Sequence, residues 1–193
     1  MAMTLQDRCD AYAAAFPDWP APSVQQGRIY GIWFLGNDYR GSGYHGAFPP
    51  NFVKRVMSMF PGMGNVLHLF SGSLPKGDYT RFDAREDIEA EIHGDAESLS
   101  THLAPSWADL IIADPPYTGE DAEKYGQPMV NRNRVVEECH KVLRPGGFLI
   151  WLDQVMPMYR KVDWDLAGVI GIFRSTNHRF RCCCIFQAKE GAS

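Results

Sequence analysis

The segment Ile111-Ile112-Ala113-Asp114-Pro115-Pro116-Tyr117 decides the fold class of this 193-residue chain. The apolar run at 111–113 predicts a buried parallel strand, which an acid, two prolines and an aromatic ring follow directly. Ligands of open α/β sheets bind just beyond the carboxyl ends of the strands, so these four residues are expected to line a site. One carboxylate, one rigid backbone carbonyl and one flat ring suit a planar amino group attached to a π-system.

The tetrapeptide Asp114-Pro115-Pro116-Tyr117 resembles the catalytic motif of S-adenosylmethionine (SAM)-dependent amino-methyltransferases, especially those that act on N6 of adenine. We expect the Asp114 carboxylate and the Pro115 carbonyl each to accept a hydrogen bond from the target amino group. Tyr117 would stack on the base and Pro116 would hold the turn, and the chemistry requires no metal ion. A strand followed by a proline-stiffened turn, with Asp114 as a cap, explains the same residues.

The motif indicates the chemistry more clearly than the substrate. Asp114 in place of a serine disfavours cytosine N4, and adenine N6 in DNA is the best single expectation. Related motifs occur in enzymes that methylate guanine N2 of ribosomal RNA or a glutamine amide of proteins, so an RNA base or a protein amide is the alternative. A catalytically silent module that binds nucleic acid or a partner is the second alternative. A nucleic-acid partner is therefore expected, with DNA favoured over RNA.

Alternating strands and helices predict an α/β fold with a mostly parallel sheet and helices on its faces. Strands are predicted at 66–70, 79–83, 91–93, 111–113, 148–152, 168–173 and 181–186, and helices at 11–16, 52–60 and 135–143. The closing hairpin implies one antiparallel strand, and the order resembles the Rossmann-like class I methyltransferase fold over residues 44–189. We expect one methyltransferase domain over 1–193, with 1–43 as an N-terminal extension. The stretch 71–78 is shorter than the about 10–12 residues of a helical crossover, so the first helices are expected to be reduced.

The segment Val66-Leu67-His68-Leu69-Phe70-Ser71-Gly72-Ser73 resembles the SAM-binding first motif. A glycine after the first strand lets the backbone approach a ligand without a Cβ in the way. Two residues depart from the pattern, because His68 stands where an acid is common and Leu74 where a further glycine is expected. The resemblance implies SAM as the cofactor, with contacts from Phe70, Ser71, Gly72 and Ser73.

Two acids follow the next two predicted strands. The resemblance implies that Asp83 accepts hydrogen bonds from the ribose hydroxyls and that Asp95, with Ala96, lies near the adenine amino group of SAM. Turn or cap roles are the alternative for both acids, and Asp87 could replace Asp83 if the strand is misplaced.

The upstream segment Tyr44-His45-Gly46-Ala47-Phe48-Pro49-Pro50 resembles motif X of DNA amino-methyltransferases, which lies against the methionine end of SAM. His45, Phe48 and Pro49 are accordingly expected at the cofactor. A proline-led helix start explains the two prolines as well.

A net charge of −4 and a pI near 5.8 speak against a strongly cationic nucleic-acid binder. Two local basic clusters could either contact phosphate or form solvated faces. They are Arg132 and Arg134 after the motif, and Arg174, His178, Arg179 and Arg181 in the last hairpin. The stretch 118–134 is the part free to contact a target, with Tyr125, Gln127, Asn131, Arg132 and Asn133 as candidates. Strong sequence specificity is therefore expected to need a partner or a homodimer.

The five cysteines form no CxxC pair, which supports neither a zinc site nor a disulfide framework. The sequence contains no apolar run of membrane-spanning length, and its first residues lack the pattern of a signal peptide. The expectation is a reduced, cytoplasmic protein without membrane association.

Overall fold

Nine strands form one sheet in the computed structural model, which describes residues 3–35, 48–49, 51–124, 126, 128–174 and 180–190. The strands are β1 (Ser23–Gln25), β2 (Arg28–Leu35), β3 (Val66–Leu69), β4 (Thr80–Asp83), β5 (Ile92–His93), β6 (Ala108–Ala113), β7 (Leu143–Asp153), β8 (Trp164–Arg174) and β9 (Phe180–Ala188). The helices are α1 (Leu5–Ala15), α2 (Phe52–Met59), α3 (Gly119–Lys124) and α4 (Arg132–Val142), with a 3-10 helix at Ala96–Thr101.

The order across the sheet is β1-β2-β8-β9-β7-β6-β3-β4-β5. The neighbours β2–β8, β3–β4, β3–β6, β4–β5 and β6–β7 pair in parallel, whereas β9 lies antiparallel between β7 and β8. This confirms the predicted α/β sheet, which is mostly parallel and in which the last strand of the chain is antiparallel to its neighbours. Strand β1 adds a second antiparallel pairing, to β2. Strands β2, β3, β4, β6, β7 and β8 all end at one border of the sheet, called here the carboxyl edge.

The strand order reverses direction at β3, which has β4 on one side and β6 on the other. Such a switch point opens a crevice at the carboxyl edge, where ligands of open α/β sheets bind. The pairing of Leu69 with Ala113 brings the ends of β3 and β6 side by side. The first motif and the Asp-Pro-Pro-Tyr motif therefore leave the sheet next to each other.

The two faces of the sheet are covered differently. Helices α1 and α2 pack on one face, and α4 and the 3-10 helix pack on the other. In β3, Val66 belongs to the α1–α2 side, and the alternation of a strand puts His68 on that same side. Leu67 and Leu69 pack on the α4 side. Every residue of β3 is thus buried.

The first helices of the fold are reduced, as predicted: residues 70–79 and 84–91 contain no helix. The predicted helix at 11–16 begins earlier, at Leu5, because Thr4 and Asp7 form a reciprocal capping box. Within the predicted N-terminal extension, β2 joins the sheet in parallel with β8. The predictions missed β1, β2, α3 and the 3-10 helix. Among the described residues, no helix has the length and apolar character to cross a bilayer.

Candidate functional site

The Asp-Pro-Pro-Tyr motif (residues 114–117) leaves the carboxyl end of β6, between β3 and β7. Pro115 is buried, and Asp114, Pro116 and Tyr117 are half-buried. The Tyr117 hydroxyl donates a hydrogen bond to Oδ1 of Asp114. The structure thus brings the predicted carboxylate and ring together at the carboxyl edge.

Tyr117 is held on two sides. Burial, followed by the Asp114 carboxylate, raises the pKa of the Tyr117 hydroxyl well above its ordinary value, so it stays a protonated donor at neutral pH. The Arg181 guanidinium carbon lies 4.6 Å from the centroid of the ring, a cation–π distance. Arg181, predicted as part of a surface cluster, is instead only 8% exposed. Stacking of Tyr117 on a substrate stays a prediction.

Arg132 connects the motif to the neighbouring strand. Its Nε donates to Oδ2 of Asp153 at 2.6 Å, and its Nη2 donates to the Tyr117 carbonyl at 2.8 Å. Asp153 ends β7 and is fully buried. These contacts, called here the Arg132 clamp, fix the end of the motif. The prediction that Arg132 contacts phosphate or lies on a solvated face is therefore replaced by an internal ion pair.

Sequence reasoning missed Asp153, although a signal for it was present. It follows the apolar run at 148–152, as Asp114 follows the run at 111–113. An acid at the end of a predicted parallel strand lies at the ligand-binding edge whether or not a motif surrounds it. Arg134, by contrast, is exposed and donates to the Glu97 carbonyl at 3.2 Å.

The glycine loop (residues 70–73) carries two left-handed residues, Phe70 at φ 57° and Gly72 at φ 52°. Glycine adopts this conformation freely, whereas for phenylalanine it stores strain of the kind that clusters at functional sites. Ser71 is buried and Ser73 is exposed. The Ser71 hydroxyl has no hydrogen-bond partner among the described residues.

Asp83 is 8% exposed and fixes the glycine loop. Its Oδ2 accepts from the Gly72 amide at 2.9 Å, and its Oδ1 accepts from the Arg85 amide at 3.0 Å. Each carboxylate oxygen has a second lone pair, so a ribose contact by Asp83 stays a prediction. The alternative residue, Asp87, is an exposed partner of the Arg85 guanidinium at 2.5 Å.

Asp95 caps the 3-10 helix. Its Oδ1 accepts from the Glu97 amide at 2.9 Å, which is the cap role named as an alternative. The carboxylate is exposed and Ala96 is buried. Contact of Asp95 with the adenine of a cofactor stays a prediction.

Of the upstream segment, the structure describes Phe48 and Pro49, and the Phe48 ring contacts the first motif. His45 lies outside the described residues, Phe48 is half-buried and Pro49 is buried. The Phe48 ring stacks on Phe52 with centroids 6.1 Å apart and meets the His68 ring edge-on at 5.6 Å. Burial lowers the pKa of His68 to about 4, so its imidazole is neutral at physiological pH.

Two side chains that were predicted to contact a target make hydrogen bonds within the protein instead. Asn131 caps α4 by accepting from the Arg134 amide at 3.2 Å, and Asn133 accepts from the Met158 amide at 3.2 Å. Other candidates lie outside the residues, or the side chains, that the structure describes: Tyr125, Gln127, Arg174, His178 and Arg179. No group of three or more His, Cys, Asp or Glu positioned to hold a metal occurs in the described part of the chain.

No family model matches the chain, and no curated protein sequence matches it. Among solved structures, it is similar to the N-methyltransferase NodS from Bradyrhizobium japonicum WM9 in complex with S-adenosyl-l-homocysteine (SAH), at 13% identity and a TM-score of 0.49, covering 80% of this chain and 94% of that chain. It is similar to TrmN from Thermus thermophilus at 15% identity and a TM-score of 0.46, covering 66% of this chain and 44% of that chain. A SAM-dependent methyltransferase from Aquifex aeolicus matches at 13% identity and a TM-score of 0.44, covering 80% of this chain and 94% of that chain. The matched part is thus less than half of TrmN, and similarities of this size assign no substrate or activity.

Proposed function

We propose that this chain is a SAM-dependent methyltransferase that transfers a methyl group to an exocyclic amino nitrogen. The observation that carries the proposal is the adjacency of the Asp-Pro-Pro-Tyr motif and the glycine loop at one switch point, fixed by the pairing of Ala113 with Leu69. One element suits an amino group and the other suits a cofactor, and methyl transfer needs the two held side by side.

The residues beside the switch point fit the cofactor. Gly72 presents backbone without a Cβ at a left-handed turn, and the buried Ser71 hydroxyl lacks a partner among the described residues. Asp83 fixes the loop by accepting a hydrogen bond from the Gly72 amide. Under this proposal, Phe48, Phe70, Ser73, Asp95 and Ala96 also line the cofactor site. SAM, when bound, supplies a methyl group activated by its sulfonium.

The chain's own part is to prepare the amino nitrogen. The lone pair of an amino group on a heteroaromatic ring is delocalised, and accepting hydrogen bonds from both of its protons favours a more tetrahedral nitrogen. The Asp114 carboxylate accepts one and the Pro115 carbonyl accepts the other. Tyr117 keeps its proton and orients Asp114 through their hydrogen bond. Asp114 acts by alignment and charge rather than as a strong base.

Adenine N6 in DNA is the substrate we propose first, followed by an RNA base and a protein amide. The internal bonds of Arg132 and the burial of Arg181 leave less positive charge near the motif for a duplex backbone. A single-stranded target fits better, since it also avoids the cost of extruding a base from a duplex. Selection of a target sequence would then depend on a partner or on a second copy of the chain.

Calorimetric titration of SAM, followed by transfer of labelled methyl to single-stranded DNA, duplex DNA and RNA, tests the proposal. Asp114→Ala removes the acceptor, so we expect SAH affinity to persist while the transfer rate falls by about a hundredfold or more. Asp95→Ala should weaken SAM binding. If the wild-type protein binds no SAM, the silent binding module replaces the enzyme; if Asp114→Ala transfers methyl at the wild-type rate, the motif does not act as proposed.

A further inference from the structure

Strands β2, β8 and β9 carry an apolar surface on the side of the sheet away from α1 and α2. Trp33 of β2, Ile172 of β8 and Cys183 of β9 all belong to the core under those two helices. Because successive side chains of a strand alternate between faces, the residues next to these three lie on the opposite face. The outward-facing set is called here the apolar platform and consists of Tyr30, Ile32, Phe34, Gly171, Phe173 and Phe180.

Strand pairing places the members of the platform side by side. Phe34 lies opposite Phe173, which in turn lies opposite Phe180. The ring centroids of these two pairs are 5.6 Å and 5.0 Å apart. Ile32 lies opposite Gly171. A Cβ at Gly171 would lie 2.8 Å from the Phe180 ring and 3.7 Å from Cγ1 of Ile32, so the platform is continuous across the three strands.

Much of the platform is open to solvent. Phe34 is 59% exposed, Phe180 is 53% exposed, Ile32 is 52% exposed and Tyr30 is 38% exposed. Since a large side chain of this kind has about 200 Å² to bury, these four leave roughly 400 Å² in contact with water. Exposed apolar surface of this extent marks an interaction site.

The connection from β7 to β8 does not cover the platform. Parallel strands usually have helices over both faces, but residues 154–163 form no helix. The connection crosses on the platform side, because its Tyr159 packs on Phe186 of β9 with ring centroids 4.9 Å apart. It adds large exposed apolar residues of its own, namely Val155, Met156, Met158 and Val162.

The area of the platform fits a second copy of the chain. A stable interface buries about 800 Å² on each partner, and about 65% of a homodimer interface is apolar. An interface of that size needs about 500 Å² of apolar surface on each copy, of which the platform supplies roughly 400 Å². The exposed residues of 154–163 supply the remainder.

The chemistry of the platform favours a second copy over a nucleic acid. None of its six residues carries a charge, whereas binding of a phosphate backbone needs lysine or arginine. A two-fold axis brings the same residues together from both copies. A face without charge can therefore meet itself without placing like charges against each other.

We propose that the apolar platform is a homodimer interface, in which two copies of the chain pack their sheets face to face about a two-fold axis. Packed sheets lie about 10 Å apart, a spacing that side chains such as phenylalanine and isoleucine fill from both faces. Cys182, on the platform side of β9, lies opposite Asp153 of β7, so the interface extends toward the Arg132 clamp. The inference goes beyond the proposed function, because it does not depend on a cofactor or on methyl transfer.

Sedimentation velocity of the full chain without added ligand, over about 1–100 µM, tests the inference. We expect the wild-type protein to pass from monomer to dimer within this range. Ile32→Glu and Phe34→Glu change exposed positions, so both variants should fold, as measured by circular dichroism. Each substitution enters a two-fold interface twice, so the dissociation constant of the dimer should rise about a hundredfold or more.

Trp19→Glu is the matched control. Trp19 is also a large exposed apolar residue, at 46%, but it lies against Arg55 of α2, on the other side of the sheet. This variant should form dimers with the wild-type dissociation constant.

Each other outcome decides against one of the two proposals. Wild-type protein that stays monomeric to about 100 µM would overturn the inference. Dimers that persist in both Ile32→Glu and Phe34→Glu would overturn it too, because the contact would then use another surface. A monomer that loses binding to single-stranded DNA in these two variants would assign the platform to nucleic acid instead. A platform-dependent dimer that binds no SAM would keep this inference and overturn the proposed function.

Discussion

Replacing Arg132 with methionine tests how the motif is held in place. Methionine replaces the apolar stem of the side chain but removes the guanidinium, and with it the charge, the bond to Asp153 and the bond to the Tyr117 carbonyl. Asp153 is fully buried, so the substitution leaves a carboxylate in the interior without its counter-ion. Removing one partner of a buried ion pair costs about 3–5 kcal/mol.

The structure favours the lower end of that range. The Gln154 amide also donates to Asp153, at 2.6 Å, and the Arg132 side chain is 22% exposed and therefore partly solvated. We expect Arg132→Met to lower the free energy of unfolding by about 3 kcal/mol, measured by urea denaturation. Arg134→Met is the matched control on the same helix. Its side chain is 54% exposed and its ion pair with Glu138 is loose at 3.9 Å, so its effect should stay below about 1 kcal/mol.

A double-mutant cycle decides whether the unpaired charge of Asp153 causes the loss of stability in Arg132→Met. Asp153→Asn removes the buried charge, so adding it to Arg132→Met should recover about 1.5 kcal/mol or more of the loss. Methyl transfer should fall in Arg132→Met, because the Tyr117 carbonyl loses its donor. Additive effects of the two substitutions, or a loss in Arg132→Met no larger than that in Arg134→Met, would refute the assignment of the clamp.

Two further predictions concern the glycine loop and the strand before it. Gly72→Ala and Gly62→Ala both place a Cβ at positive φ, 52° and 75°, so each should lower the free energy of unfolding by about 1 kcal/mol. Only Gly72→Ala should weaken SAH binding, and equal SAH affinities of the two variants would contradict a cofactor contact by the glycine loop. Because the pKa of His68 falls from 6.5 to about 4 on folding, the unfolded chain binds the extra proton between those values, and stability falls as pH drops through them. This contribution of His68 to the fall in the free energy of unfolding amounts to about 3 kcal/mol between pH 7 and pH 4. Urea denaturation of the wild-type protein and of His68→Leu at both pH values measures it, and the variant should lack it. Equal losses in the two proteins would show that His68 is not the group responsible.

The strands that carry the site were predictable because they are buried on both faces. Runs such as 66–70 and 148–152 have no polar residue to interrupt them apart from His68, and they correspond to β3 and the second half of β7. Counting residues between strands was enough to predict that the first helices are reduced. The position of residues 114–117 at the carboxyl edge could be predicted because a buried parallel strand directly precedes them.

Strand β2 was missed for a physical reason. Ile29, Trp33 and Leu35 are buried, but Ile32 and Phe34 on the other face are apolar too and remain 52% and 59% exposed. With apolar residues on both faces, the strand shows no alternation in polarity. Its pairing with β8 also joins segments far apart in the chain, which local patterns do not reveal.

The ion pair of Arg132 with Asp153 was beyond prediction for a related reason. Each residue alone has a plainer explanation, as a basic surface residue and as the end of a strand. Only the parallel pairing of β6 and β7 places the Tyr117 carbonyl and the Asp153 carboxylate within reach of one guanidinium.

The Arg132 clamp has a consequence for how such a protein can change over evolutionary time. It joins the two ends of the stretch 118–131, because Arg132 binds the carbonyl of Tyr117. The cost of closing a loop grows slowly with its length, by about 0.6 kcal/mol for each doubling. Insertions and exchanges at exposed positions between Tyr117 and the capping residue Asn131 can therefore accumulate while Asp114 and Tyr117 stay where they are. Under the proposed function, changes in this stretch would alter the contacts to the target and leave Asp114 and Tyr117 in place.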